Sequence, residues 1–153
     1  MVIVMITSEF GNLEIEKESL VEKIKVLLVD DNEVVREGLE SLLKPHTDIE
    51  VIGKAVDGLE AIAKAQELNP DVILMDAQMP RADGAEATRR IKAIMPDVKV
   101  LFLTVYGDYV GDALSAGASW YLTKDCRRQD LLEAIRTLAQ SKKSRAQKTQ
   151  AKA

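Results

Sequence analysis

Asp30, Asp31, Asp76, Thr104 and Lys124 each stand at, or just past, the end of a short apolar run. Val26-Leu-Leu-Val29 ends in Asp30-Asp31, Val72-Ile-Leu-Met75 in Asp76 and Val98–Leu103 in Thr104, while Trp120-Tyr-Leu122 continues through Thr123 to Lys124. If the runs are strands of an open parallel sheet, their polar successors converge on one rim, where such sheets bind ligands. Three carboxylates gathered there repel and raise one another's pKa unless a cation is present. A hard divalent ion resolves this, and a partly hydrated Mg2+ needs only a few protein carboxylates. Lys124 supplies a second positive charge. Metal, ammonium and hydroxyl together can neutralise a transferring phosphoryl group while an Asp carboxylate acts as nucleophile. Asp76, the lone acid on a middle strand, is the best nucleophile candidate, which leaves Asp30 and Asp31 to hold the metal. One Asp after a strand is most often a helix cap. Five polar residues at equivalent strand ends are a much stronger signal.

The elements that must position them alternate regularly. Short apolar runs (Val26–Val29, Val51-Ile52 with Ala55-Val56, Val72–Met75, Val98–Leu103 and Trp120–Leu122) lack clean polar alternation, as befits strands covered on both faces. Between them lie amphipathic stretches, Val34–Leu43, Leu59–Leu68, Ala85–Met95, a short one at Asp108–Ala116 weakened by Gly111, and Gln129–Ala139. Pro45, Pro70 and Pro96 fall after helices, where they break no hydrogen-bond ladder. The pattern predicts an α/β domain: a doubly wound five-stranded parallel sheet of (βα)5, flavodoxin-like build over 24–140. Residues 1–23 form an N-terminal extension or linker, and 141–153 a basic, flexible tail.

Composition narrows the chemistry. The 153 residues include 1 His, 1 Cys and 6 aromatics, which excludes a disulfide, a Cys-rich zinc site or a multi-His metal cage. Carboxylates abound, 25 Asp plus Glu against 21 Lys plus Arg, and the net charge of −4 is unevenly spread. Residues 1–24 carry −3, 25–140 carry −6 and 141–153 carry +5. An acidic central domain argues against direct nucleic-acid binding by this chain alone. The apolar opening Met1–Ile6 is too short to span a bilayer and lacks a basic flank, so the expectation is no membrane association and a cytoplasmic setting.

Val29-Asp30-Asp31-Asn32 with Arg36, then Asp71-Val-Ile-Leu-Met-Asp76 followed by Met79-Pro80 and Asp83-Gly84, then Leu103-Thr104, and Ala116-Gly-Ala118 leading to Lys124, together resemble the receiver domains of bacterial two-component response regulators. The resemblance covers about residues 24–140 and implies a phosphorylation-dependent signalling switch. Asp76 would be the phosphoacceptor, taking its phosphoryl group from a partner sensor histidine kinase or a small phosphodonor. Asp31 would ligate Mg2+ directly and Asp30 directly or through water, with Asp76 and the backbone carbonyl of Gln78 completing the protein ligands. Thr104 and Lys124 would bind phosphoryl oxygens. Tyr121, three residues before Lys124, stands where the family places its switch aromatic, and would turn inward behind Thr104. The affected face comprises the fourth helix, fifth strand and fifth helix, which is also the family's usual place for a phosphorylation-dependent homodimer. Gln78 and Tyr106 stand where the family tunes phosphoryl lifetime. No enzymatic activity is implied beyond the chain's own phosphoryl transfer and dephosphorylation.

Many receivers follow the lysine with proline; Lys124-Asp125, with Tyr121-Leu122 before it, looks more like the NarL branch, whose receivers commonly precede a LuxR-type helix-turn-helix. The expectation is a stand-alone receiver or the receiver part of a DNA-binding transcriptional regulator. The alternative is a Mg2+-dependent aspartyl-phosphate phosphohydrolase, but that class usually carries Asp-x-Asp after its first strand. A flavodoxin-like cofactor binder would need a phosphate loop where Asp30-Asp31-Asn32-Glu33 would repel phosphate. Among the remaining residues, His46 is expected in a solvated turn, Cys126 is read as an incidental thiol, and Trp120 either meets a partner or packs at a strand edge.

Overall fold

The computed structural model describes residues 22–77, 79, 83–105 and 110–151, with side chains described as far as Lys142. Among the described residues the strands are β1 (Ile24–Val29), β2 (Ile49–Ala55), β3 (Val72–Asp76), β4 (Lys99–Thr104) and β5 (Trp120–Thr123). The helices are α1 (Glu33–Leu43), α2 (Gly58–Leu68), α3 (Gly84–Ile94), α4 (Val110–Ala116) and α5 (Arg128–Ala151). All strand pairs are parallel, in the order β2-β1-β3-β4-β5. This is the doubly wound five-stranded sheet that the alternating pattern predicts.

Continuous apolar runs arise because successive strand residues point to opposite faces, and both faces are covered. Leu27, Val29, Ile73, Met75, Val100 and Phe102 join one core with residues of α2, α3 and α4. Their neighbours Val26, Leu28, Val72, Leu74, Leu101 and Leu103 join the other with α1 and α5. In β2 the pairing with β1 slips by one residue, from Val26↔Val51 to Leu27↔Gly53, which leaves Ile52 as a bulge. Among the described residues no helix is long and apolar enough to cross a membrane.

Helix starts follow local chemistry. Asn32 accepts from the amides of Val34 at 2.9 Å and Val35 at 3.3 Å. Asp57 accepts from Glu60 at 2.8 Å, and Asp83 from Glu86 at 2.7 Å. Each side chain satisfies an amide that the helix leaves without an internal partner.

Two places differ from the sequence expectation. The last helix does not stop near Gln140 but runs on to Ala151. Residues 141–151 contain neither Gly nor Pro and are rich in Ala, Lys and Gln, all good helix formers. The extension is also anchored where it begins: Lys142 Nζ lies 3.1 Å from Asp71 Oδ1, and the other Asp71 oxygen accepts from the Lys25 amide at 2.9 Å. His46 is half-buried rather than fully solvated. Its Nδ1 lies 3.5 Å from Arg136, which grips Asp48 through two hydrogen bonds of 2.7 and 3.1 Å.

One glycine joins scaffold to site. A Cβ on Gly84 would stand 2.3 Å from the backbone oxygen of Asp76 and 3.0 Å from Phe102 Cε1. Only a residue without a side chain lets α3 begin this close to the end of β3. Gly84→Ala is therefore expected to cost about 1–3 kcal/mol of stability by overpacking. Gly38, exposed on α1 with nothing within 4 Å of a Cβ, gives the opposite sign. There alanine is expected to add about 0.5–1 kcal/mol. Urea denaturation of the two variants checks the contrast, and equal effects at both sites would contradict it.

Candidate functional site

The carboxyl ends of β1, β3, β4 and β5 meet on one rim. Asp30 follows β1 directly, Asp76 ends β3, Thr104 ends β4, and Lys124 follows β5. Parallel register keeps them level: Val29 pairs with Met75, Asp76 with Leu103, and Thr104 with Thr123. Asp30, Asp76 and Thr104 are buried, at 3%, 7% and 3% exposure, whereas Asp31 is exposed. One carboxylate oxygen from each of Asp30, Asp31 and Asp76 can be chosen so that all three lie within 4.8 Å of one another.

Lys124 is the cation that the rim itself supplies. Its Nζ donates to Asp30 Oδ2 at 2.8 Å and lies 3.3 Å from Asp76 Oδ1. Burial, the largest single influence on this ammonium, favours the neutral amine. The hydrogen bond to Asp30 and the charges of Asp76 and Asp30 together outweigh it, so the pKa stands above the ordinary lysine value of 10.5. Lysine is therefore charged throughout the neutral range. A raised pKa also means that the stability it brings is present below 10.5 and lost only as pH climbs beyond it. The lysine's own backbone is fixed as well, its amide donating to the Thr104 carbonyl at 2.8 Å.

Asp30 is held from three sides. Besides Lys124, the Asn32 amide donates to its Oδ1 at 2.9 Å, and Arg36 Nη1 donates to its backbone carbonyl at 2.6 Å. Asn32 thus caps α1 with its side chain and steadies Asp30 with its amide. Strand-end reasoning brings out Asp30, Asp31, Asp76, Thr104 and Lys124, and the structure gathers them. It does not bring out the positioning roles of Asn32, Arg36 and Gly84, which the sequence marks only as members of the receiver-like motifs. A further acid at a strand end, Asp57 after β2, caps α2 and falls outside the grouped carboxylates. Gln78 and Tyr106 lie outside the described residues.

Tyr121 is half-buried against the core beneath α2–α4, paired across the sheet with Phe102. Thr104 lies two residues on from Phe102, on the same face. The Tyr121 ring stacks on Trp120, with centroids 5.6 Å apart and planes at 27°. Cys126 is no activated nucleophile: burial, then Asp130 and Asp125, push its thiol above the usual value, and its reactive thiolate form is scarce.

An all-oxygen donor set with two buried members and one exposed fits a hard divalent cation, which Asp30, Asp31 and Asp76 would hold. Comparison with known proteins agrees with this geometry. The family model "Response regulator receiver domain" matches residues 26–136. The chain belongs to that family. It is a receiver domain of two-component signalling, as the ordered motifs imply. The response regulator VraR of Staphylococcus aureus is 50% identical over 115 residues, covering 74% of this chain and 55% of that protein. The transcriptional regulatory protein LnrK of Bacillus subtilis is 44% identical over 117 residues, covering 75% of this chain and 53% of that protein. Among solved structures, the signal receiver domain of a NarL response regulator from Mycobacterium tuberculosis superposes with a TM-score of 0.74 at 31% identity, covering 78% of this chain and 98% of that one. This receiver therefore spans about half the length of the curated relatives it matches.

Replacing Lys124 tests the electrostatics. In Lys124→Met two buried carboxylates lose their shared cation, and the metal-free protein is expected to lose about 1–2 kcal/mol, discounted because the ammonium is partly exposed. Saturating Mg2+ is expected to narrow that deficit, because it supplies charge to the same oxygens. Thermal denaturation with EDTA and with Mg2+ reads both effects; a deficit that Mg2+ leaves unchanged would contradict a shared site.

Proposed function

We propose that this receiver is a phosphorylation switch in which Asp76 accepts the phosphoryl group. The observation that carries the reading is the placement of the Asp76 carboxylate beside the Lys124 ammonium and within 4.8 Å reach of Asp30 and Asp31. An Asp76 oxygen attacks the phosphorus of a phosphohistidine on a partner sensor kinase. The phosphorus–nitrogen bond breaks, and its electron pair leaves with the imidazole, which takes up a proton from solvent. With a small acyl phosphate the leaving group is the carboxylate. Either way the product is an acyl phosphate on Asp76, and its hydrolysis resets the switch.

Asp30, Asp31, Asp76 and the Gln78 carbonyl would hold Mg2+, whose charge offsets that of the phosphoryl oxygens. Lys124 donates to one phosphoryl oxygen. The Thr104 hydroxyl, on the neighbouring strand end, donates to another. Gln78 and Tyr106 govern the approach of the hydrolytic water. Phosphorylation adds about −1.5 to −2 charges at one point. Movement of Thr104 toward them frees space on the face it shares with Phe102, and Tyr121 turns into it. The surface formed by α4, β5 and α5 then presents a different partner face.

The chain acts as a switch rather than as an enzyme on other substrates. An aspartyl-phosphate phosphohydrolase fits less well: the first acid after β1, Asp30, is engaged by Lys124 and Asn32, and the acid presented at the middle strand is Asp76. The name of LnrK, a transcriptional regulatory protein, supports a role in transcription regulation, and the setting expected from the sequence is cytoplasmic. Incubation with acetyl phosphate and Mg2+ is expected to add one phosphoryl group by intact mass. Asp76→Asn and removal of Mg2+ are each expected to abolish the adduct, and Thr104→Ala to leave it formed but to blunt the conformational change. Many-turnover release of phosphate from a broad set of esters would overturn the reading in favour of the hydrolase.

A further inference from the structure

α2 and α3 cover the same face of the sheet, and each carries apolar residues beyond those it buries. On α2 the core-facing stripe is small, and its Gly58, Ala61 and Ala65 are all buried. A second stripe at helical spacing, Leu59, Ile62 and Ala63, turns toward α3. On α3, with Ala87, Thr88 and Ile91 buried, Arg90, Ala93 and Ile94 stay exposed. These two sets of three line a shallow, mainly apolar groove of about 410 Å3 between the helices. Pockets that take the apolar groups of a ligand measure roughly 300–1,000 Å3. Leu59 is 50% exposed at one end of the groove and Ile94 53% exposed on its other wall. A surface helix needs one apolar stripe, and a second one contiguous with its neighbour's marks a face with an occupant.

The chain carries a segment of matching character. Met1-Val-Ile-Val-Met-Ile6 is an unbroken apolar run, and residues 7–22 hold Glu9, Glu14, Glu16, Glu18 and Glu22 against a single base, Lys17. Residues 1–21 lie outside the described residues. Arg90, the charged member of the described groove lining, and its neighbour Arg89 both bridge to Glu86, each at 3.0 Å. Two cations there share one acid, which leaves a positive charge over on the α3 wall. Reach is ample. The chain enters β1 at Ile24, and α2 lies over β1, where Leu27 and Val29 share a core with Ala61 and Ala65. Helices of parallel βα units run back against their strands, so the Ile94 end of the groove lies toward the rim where β1 begins. Residues 7–23, fully extended, span about 56 Å, against about 16 Å for a helix of 11 residues.

We propose that the apolar run Met1–Ile6 docks in the α2–α3 groove of its own chain, with the acids that follow it drawn to the arginine wall. Docking removes the apolar surface of Leu59 and Ile94 from water together with that of the run. The tether makes the encounter intramolecular and raises the local concentration of the run to about the millimolar range. This docking goes beyond the phosphoryl-acceptor reading and does not require it, since neither groove nor segment includes a residue of the strand-end rim.

Disulfide trapping in the whole chain tests it. In a Cys126→Ser background, Val4→Cys is combined either with Ala63→Cys in the groove or with Thr137→Cys, an exposed position on α5 across the sheet. The Ala63 pair is expected to close an intrachain disulfide about tenfold faster or more, because docking rather than tether length then sets the encounter. Ile3→Asp with Ile6→Asp is expected to remove that advantage. In methyl NMR of the chain without added cysteines, the same two aspartates are expected to shift the Leu59, Ile62 and Ile94 signals. Those of Leu131 and Leu132, in the core on the other face, are expected to stay in place. Thermal melting of each reduced variant checks that its fold is intact. Equal closure at Ala63 and Thr137 would overturn the proposal. So would a disulfide that joins two chains, which marks a second copy as the occupant, or Leu59 and Ile94 signals indifferent to the aspartates. Intact mass after acetyl phosphate reports on Asp76 separately, so failure of one reading is distinguishable from failure of the other.

Discussion

Three carboxylates and one ammonium crowded on the rim of a parallel sheet place a demand on everything around them. Asp30 and Asp76 are nearly excluded from solvent and share a single lysine at 2.8 and 3.3 Å. Burying one ionised carboxylate is costly unless it is paired and hydrogen-bonded, and burying two beside a third multiplies the cost. Lys124 offsets part of it. Among the described residues the balance stays negative, which suits a hard cation and, in the proposed switch, the phosphoryl group that the cation would accompany.

The sheet makes this concentration possible. Parallel pairing brings strand ends level, and two covered faces exclude water from the carboxylates' flanks. Smaller devices hold the geometry: the Asn32 amide and Arg36 fix Asp30, the Lys124 amide is tied to Thr104, and Gly84 lets α3 start against the backbone of Asp76. Because Thr104 and Phe102 share a face along which Tyr121 lies, the pull on Thr104 proposed above would be transmitted by packing. Trp120, stacked on Tyr121, is exposed on β5.

Much of this was legible in the residues themselves. Strand-end position singles out Asp30, Asp31, Asp76, Thr104 and Lys124 because a parallel sheet has only one rim on which such residues can meet. Family motifs add Tyr121, which its own half-buried strand position would not distinguish. Other elements depended on packing between distant segments. The Ile52 bulge reflects how β2 meets β1, a pairing that no local pattern encodes. The continuation of α5 to Ala151 follows from good helix formers without Gly or Pro, anchored where it begins by Lys142 on Asp71, whereas a polar basic stretch alone reads as a tail. His46 likewise looks like a solvated turn residue until Arg136 and Asp48 are brought beside it. Asp57 illustrates the converse: an acid after a strand that only caps a helix.

The receiver fold and family are established by these motifs, the sheet order and the relatives; the central claim is narrower, that Asp76 is the residue phosphorylated. Reduction of the phosphorylated protein with borohydride, followed by peptide mass mapping, tests it most directly, because an acyl phosphate is reduced to an alcohol at the residue that carried it. Conversion of Asp76 to homoserine, with Asp30 and Asp31 unchanged, is the expected result. Homoserine at position 30 or 31 instead, or a phosphoryl group that resists reduction because it sits on His46 or a hydroxyl, would contradict the account.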